Sequence, residues 1–159
     1  MTKPRHRPPT YSTLTVLLAS PIQPMPEAKR LHQLTAMYQG LNALELGNQP
    51  TRNDWAVCSD AINLMETLVL QGHVSDADGL LMDAITGLAK AGQRNLAGGA
   101  IRLDGPGIAA VRAVLADYAM VLSTLSERTM VNAHRATEKR IRAIFAGNQQ
   151  SHDVQVIAL

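Results

Sequence analysis

A chain of 159 residues with 46% hydrophobic and 18% charged side chains is globular in composition, and at this length one core suffices to bury roughly 70% of the surface that the unfolded chain exposes. Only 3% of the residues are aromatic, which disfavours a sandwich or barrel, and a formal net charge of +2 gives the chain as a whole little pull on a polyanion. The lone cysteine, Cys58, excludes an internal disulfide and a cysteine zinc knuckle and points to the cytoplasm; apolar runs of a few residues fall far short of the ~20 that span a bilayer, so no membrane partner is expected.

The predicted architecture is mostly α: a single-domain bundle of about five helices with an extended N-terminal arm and a short extended C-terminal tail. Residues 1–24 form a basic, proline-rich tail and arm, in which Pro4, Pro8 and Pro9 favour extended backbone and "YSTLTVLLA" has the Thr, Val and Leu content of a strand. "KPRHR" before "LTVLLAS" imitates a signal peptide poorly, because Thr15 interrupts the apolar part and Pro21 follows the small residues.

The helical domain spans residues 25–147. Its first helix starts at Pro26, turns Leu31, Leu34, Tyr38, Leu41 and Leu44 inward, and stops at Gly47. Thr51 and Asp54 make a capping-box-like start to the second, whose inner face is Trp55, Cys58, Ile62, Met65 and Val69. A third runs from Ser75 to Ala91 on Leu81, Ile85 and Leu88; Gly92 to Leu103 then reads as a loop and as the best hinge.

"DGPG" at residues 104–107 opens the fourth helix. It lacks both the phosphate-loop and the dinucleotide fingerprints, so Asp104 or Gly105 is the cap, Pro106 sits in the first turn, and Ile108, Val111, Leu115, Tyr118, Leu122 and Leu125 are the buried stripe; Arg102 beside this positive end would make at most a weak anion site. The fifth helix begins after Ser126, buries Met130, Ala133, Thr137, Ile141 and Ile144, and ends at Gly147. In the tail, residues 148–159, "DVQVIAL" is β-prone and pairs in expectation with "YSTLTVLLA" or with a second copy of the chain, making a homodimer a further expected partner.

No catalytic or metal constellation emerges. The five histidines stand one per segment without ligand spacing, Cys58 shares the apolar face of its helix, and Asp60 and Glu66 read as solvated carboxylates, so neither metal nor cofactor is expected. Charge is more informative. Residues 127–145 carry five Lys or Arg against two Glu, whereas residues 45–117 carry nine Asp or Glu against five Lys or Arg. Arg128, Arg135, Lys139 and Arg142 follow one another at seven, four and three residues and share one helical stripe, a candidate surface for an anionic partner.

The order of features, from the basic start through "ALELGNQPTRNDWAVCSDAINLMETL" to "LDGPGIAAVRAVLADYAMVL" and an Arg-rich last helix, resembles small helical accessory proteins encoded by proteobacterial phages, prophages and plasmids, over residues 1–145. The resemblance implies no catalytic residue. It suggests a protein that acts by binding something of the host or of the mobile element itself. The expected function is therefore non-enzymatic binding of a protein partner, with modulation of a host system. The alternative is a small nucleic-acid-binding regulator that uses the basic C-terminal helix.

Overall fold

The computed structural model describes residues 6–147, which form a single all-helical bundle without strands among them: α1 (Thr13–Leu18), α2 (Glu27–Leu46), α3 (Arg52–Leu70), α4 (Leu80–Leu96), α5 (Gly105–Thr124) and α6 (Glu127–Phe145). Three N-termini follow from local chemistry. Thr51 and Asp54 close a reciprocal capping box, the Asp104 carboxylate accepts the Gly107 N–H at 2.8 Å with Pro106 in the first turn, and the Ser126 hydroxyl accepts the Thr129 N–H at 3.2 Å.

α3 is the central helix, packed by α2, α4, α5 and α6, and Trp55, Ile62, Met65 and Leu68 on it are buried. Because it is enclosed on several sides, it also buries Ser59, Asn63, Glu66 and Thr67, and such groups must find partners away from water. Glu66 Oε2 meets Arg140 Nη2 of α6 at 2.8 Å, the two side chains being only 7% and 9% exposed. Burial pulls the Arg140 guanidinium below its ordinary pKa, and Glu66 opposes that shift. The Thr67 and Thr137 hydroxyls meet at 2.6 Å, each within reach of a carbonyl one turn back in its own helix, Asn63 and Ala133; with two protons between them, one hydroxyl donates to the other and the second to its carbonyl. Glu66 is thus an internal counter-charge rather than a solvated carboxylate.

α4 and α5 cross where two glycines face each other. A Cβ on Gly87 would lie 2.9 Å from the Gly107 Cα, so the backbones touch, with the buried Leu103 side chain beside Gly107. A similar approach joins α2 to α3: a Cβ on Gly40 would stand 2.8 Å from the Asp54 carbonyl oxygen. α5, 20 residues long with an 18-residue stretch of mean hydropathy 1.4, is long and apolar enough to cross a membrane by length and composition, a property that the short-run criterion missed because Arg112 and Asp117 interrupt it. In the bundle its Val111, Leu115, Tyr118 and Leu122 are buried as expected, while Ile108 and Leu125 are only partly buried.

Several expectations are corrected. "YSTLTVLLA" contributes helix α1 rather than a strand: Ser12 and Thr15 form a capping box that overrides β propensity. The inward row of α2 is Met37, Gly40, Leu41 and Leu44, because Gly40 must face α3; Leu31 and Tyr38 are exposed. α4 starts at Leu80, after Gly79 in the left-handed region (φ 69°) and with Asp76 Oδ1 accepting the Leu81 N–H at 3.1 Å, and it continues to Leu96. The loop therefore opens near Gly98 rather than Gly92. Ile141, expected in the core, is only partly buried, and Ile144 likewise. The expected C-terminal strand lies in residues 148–159, outside the described residues.

Two stability measurements test this packing. Gly87→Ala is expected to lose about 1–3 kcal/mol in urea unfolding despite its better helix propensity, whereas Gly105→Ala, with open space around its Cβ, should change little. Glu66→Gln, which strips the buried Arg140 of its counter-charge, should cost about 3–5 kcal/mol, and the Glu66→Met/Arg140→Met pair markedly less.

Candidate functional site

The basic stripe of α6 is divided by α1. Arg128 donates from Nε to the Ala19 carbonyl at 3.1 Å and from Nη2 to the Leu17 carbonyl at 3.2 Å, so its charge caps the carbonyl end of α1. The same junction is sealed by backbone: the Glu127 and Arg128 N–H groups donate to the Gln23 and Ser20 carbonyls at 2.8 and 2.9 Å. Arg135 Nη2 reaches Thr13 Oγ1 at 3.3 Å. Lys139 is exposed and has no ion pair among the described residues, while Arg142 Nη2 pairs with Glu138 at 2.6 Å from an otherwise exposed side chain. The four stripe residues therefore share a face, but Arg128 is structural and only the C-terminal end of the stripe is open to a partner.

The exposed side of α1 and of the turn after it is apolar, and because Arg135 meets Thr13 at the start of α1 and Arg128 meets Leu17 and Ala19 at its end, this surface runs toward Arg128. Leu14, Leu17, Leu18 and Ile22 are 62%, 66%, 77% and 79% exposed, close together in sequence and backed by the α1–α6 contact. Thr15, Arg135, Lys139 and Arg142 border a surface groove between α1 and α6. Arg102, in contrast, does not serve an anion site at the start of α5: its Nη2 donates to the Gly47 and Asn48 carbonyls at 2.6 and 3.1 Å and ties the α4–α5 loop to the end of α2.

On the other side of α6, residues 6–10 lie across α2 and α3 and cover a cavity of about 490 Å³. The His6 N–H bonds Asn53 Oδ1, and His6 Nε2 meets Asp60 Oδ2 at 2.5 Å. His6, in the expected basic, proline-rich tail, is thus held against α3. Deeper in, the Tyr118 hydroxyl donates to Gln33 Oε1 at 3.4 Å, and burial raises the Tyr118 phenol well above its usual range. Burial also raises Tyr11, helped by Glu127 and opposed by a hydrogen bond with Gln33.

His134 of α6 lines this cavity. Its ring stands 5.2 Å from the Tyr11 ring at a 50° tilt, its Nε2 is shut off from solvent, and no hydrogen-bond partner reaches that atom among the described residues. Burial takes the imidazole down to about 4 from the ordinary 6.5, so the ring is neutral near neutral pH. Sequence reading treated the histidines one by one. The signal it passed over is that His134 adjoins the inward row Met130, Ala133 and Thr137; the meeting of His6 with Asp60, 54 residues away, has no local signature.

Cys58 is the small buried hydrophobe expected from its helical face: burial, with Asp54 adding to it, pushes the thiol up to about 12, so no thiolate nucleophile forms near neutral pH. Among the described residues no three His, Cys, Asp or Glu side chains come together in a way that holds a metal ion.

His134 makes acid stability a readout. The unfolded chain takes up a proton below about pH 6.5 that the folded ring refuses until about pH 4, so this contribution is complete above pH 6.5 and is lost as pH falls between those values. In His134→Gln, the loss of unfolding free energy between about pH 7 and pH 4.5 should be smaller by about 2–3 kcal/mol than in the unmodified protein. Equal losses in urea titrations at the two pH values would mean that the ring is not held neutral by burial.

Comparison with known proteins adds no assignment: no protein-family model matches the chain, and no match is found among curated proteins or among solved structures.

Proposed function

We propose that the protein is a non-enzymatic binding module for a protein partner, which it engages through the outer side of α1 and the open end of the α6 basic stripe. The observation that carries this reading is the apolar exposed side of α1, Leu14, Leu17 and Leu18, all more than 60% exposed, on a short helix whose start is met by the cation Arg135. Contiguous exposed apolar side chains rimmed by charge are the usual mark of a protein contact. The partner that fits is an apolar helix or segment flanked by Asp or Glu. The resemblance to accessory proteins of mobile elements supports a role in modulating a host system.

The nucleic-acid reading is weaker for a specific reason. Arg128 is spent on the α1 carbonyls and Arg142 is partnered by Glu138, so few cations are left to neutralise phosphates. Peptides selected from a random library on the immobilised protein should combine large apolar residues with acidic flanks. Leu17→Glu together with Leu18→Glu should weaken them at least about tenfold while changing stability by no more than about 0.5 kcal/mol, and duplex DNA should not bind even at low salt. Tight, steeply salt-dependent duplex binding that Arg135→Glu with Lys139→Glu removes would overturn the proposal in favour of nucleic acid.

A further inference from the structure

We propose that the cavity beneath residues 6–10 is a binding site for a free single-chain amphiphile with an anionic head, an aliphatic carboxylate being the simplest: the chain lies in the cavity and the head at its rim, on Arg7 and Arg142. The cavity, about 490 Å³, lies within the roughly 300–1,000 Å³ range of small-molecule sites. Ala36, Val57 and Ile141, on three different helices, line it and are only partly buried, so each keeps apolar surface to offer, and Pro8 and Pro9 add to that lining. Taking methylene groups from water into such a lining is favourable.

The charges of the rim select the head. Asp60 is bonded by His6 and Glu138 by Arg142, so both carboxylates of the lining are answered within the protein. Of the two arginines, Arg7 is exposed and has no ion pair among the described residues, and the Arg142 side chain stays 76% exposed beyond its bond to Glu138. What is left over at the cavity is therefore positive. Thr10, Glu138 and Arg142 border both the cavity and the groove beside α1, and on the groove side Lys139 adds a further cation without an ion pair among the described residues. A carboxylate matches a guanidinium with charge-assisted hydrogen bonds, whereas a neutral head leaves the charge unanswered and a cationic head is repelled. The chain lies under residues 6–10, which His6 ties to α3 through Asn53 and Asp60, an arrangement that encloses one free molecule rather than facing a sheet of lipid. This site does not rest on the partner-binding proposal, whose apolar surface is Leu14, Leu17 and Leu18; because Arg142 is common to both, the test reads Arg7.

Calorimetric titration of the full chain uses decanoate as probe, decanol as its neutral counterpart and acetate as the head alone. Decanoate should bind at one site about tenfold more tightly than decanol, the value of a hydrogen bond to a charged group, and acetate should give no binding heat. Arg7→Gln, a change on an exposed side chain, should weaken decanoate at least about fivefold and leave decanol as it was. Ala36→Leu, which narrows the cavity, should weaken both. In the unmodified protein, nuclear Overhauser contacts from the decanoate chain should reach the Val57 and Ile141 methyls and not those of Leu17 or Leu18, which tells this site from the partner surface without any variant. Equal affinity for decanoate and decanol, an unchanged decanoate affinity in Arg7→Gln, contacts with Leu17 or Leu18 instead, or no binding at all would overturn the proposal. Attachment to phosphatidylglycerol vesicles without uptake of free decanoate would overturn it too.

Discussion

The bundle depends on a helix that has little surface of its own. α3 meets four other helices, and the polar groups that this enclosure buries on it have to be answered by those neighbours. α6 answers two of them, Thr67 through Thr137 and Glu66 through Arg140, and this pair of contacts fixes where α6 sits along α3. A shift of one turn would leave a carboxylate and a guanidinium buried apart. Apolar packing alone tolerates such slips, whereas a buried charge pair does not. With α6 held in this register, His134 is turned to the cavity that α2 also lines, and Arg135 to α1.

The parts of this fold that are legible in the sequence are those decided within a turn of helix. Asp104, Thr51 and Ser126 announce their helices because a cap and its N–H groups lie three residues apart. Distant chemistry is not legible in that way. The three-and-four spacing of Leu31, Leu34, Tyr38, Leu41 and Leu44 turns Tyr38 inward, and nothing local shows that Gly40 takes the inner face until the Asp54 carbonyl is found against it. Gly87 likewise reads only as a weak helix former and Gly107 only as part of a helix start until the two helices cross. The α6 stripe was readable as a face, but its division was not, since the acceptors of Arg128 belong to a segment whose composition favours a strand.

α1 and the cover over the cavity are one continuous stretch of chain. Thr10 borders both the cavity and the groove beside α1, and Ser12 caps α1 only two residues later. Displacement of residues 6–10 therefore pulls on the start of α1, while Arg128 and the backbone bonds at Ser20 and Gln23 anchor its other end. The apolar outer side of α1 is fastened firmly at one end and lightly at the other.

Trp55 gives this molecule a convenient optical property. It is the only tryptophan, it is buried at the seam of α3 and α4, and its indole N–H is bonded to the Leu88 carbonyl at 2.9 Å. It lines neither the cavity nor the groove beside α1. Intrinsic emission excited at the red edge of indole absorption thus reports the integrity of one interior seam and is spectrally silent about events on the surface of α1. Loss of its blue-shifted signal marks the opening of the core itself, which separates a variant that has lost a contact from one that has lost its fold.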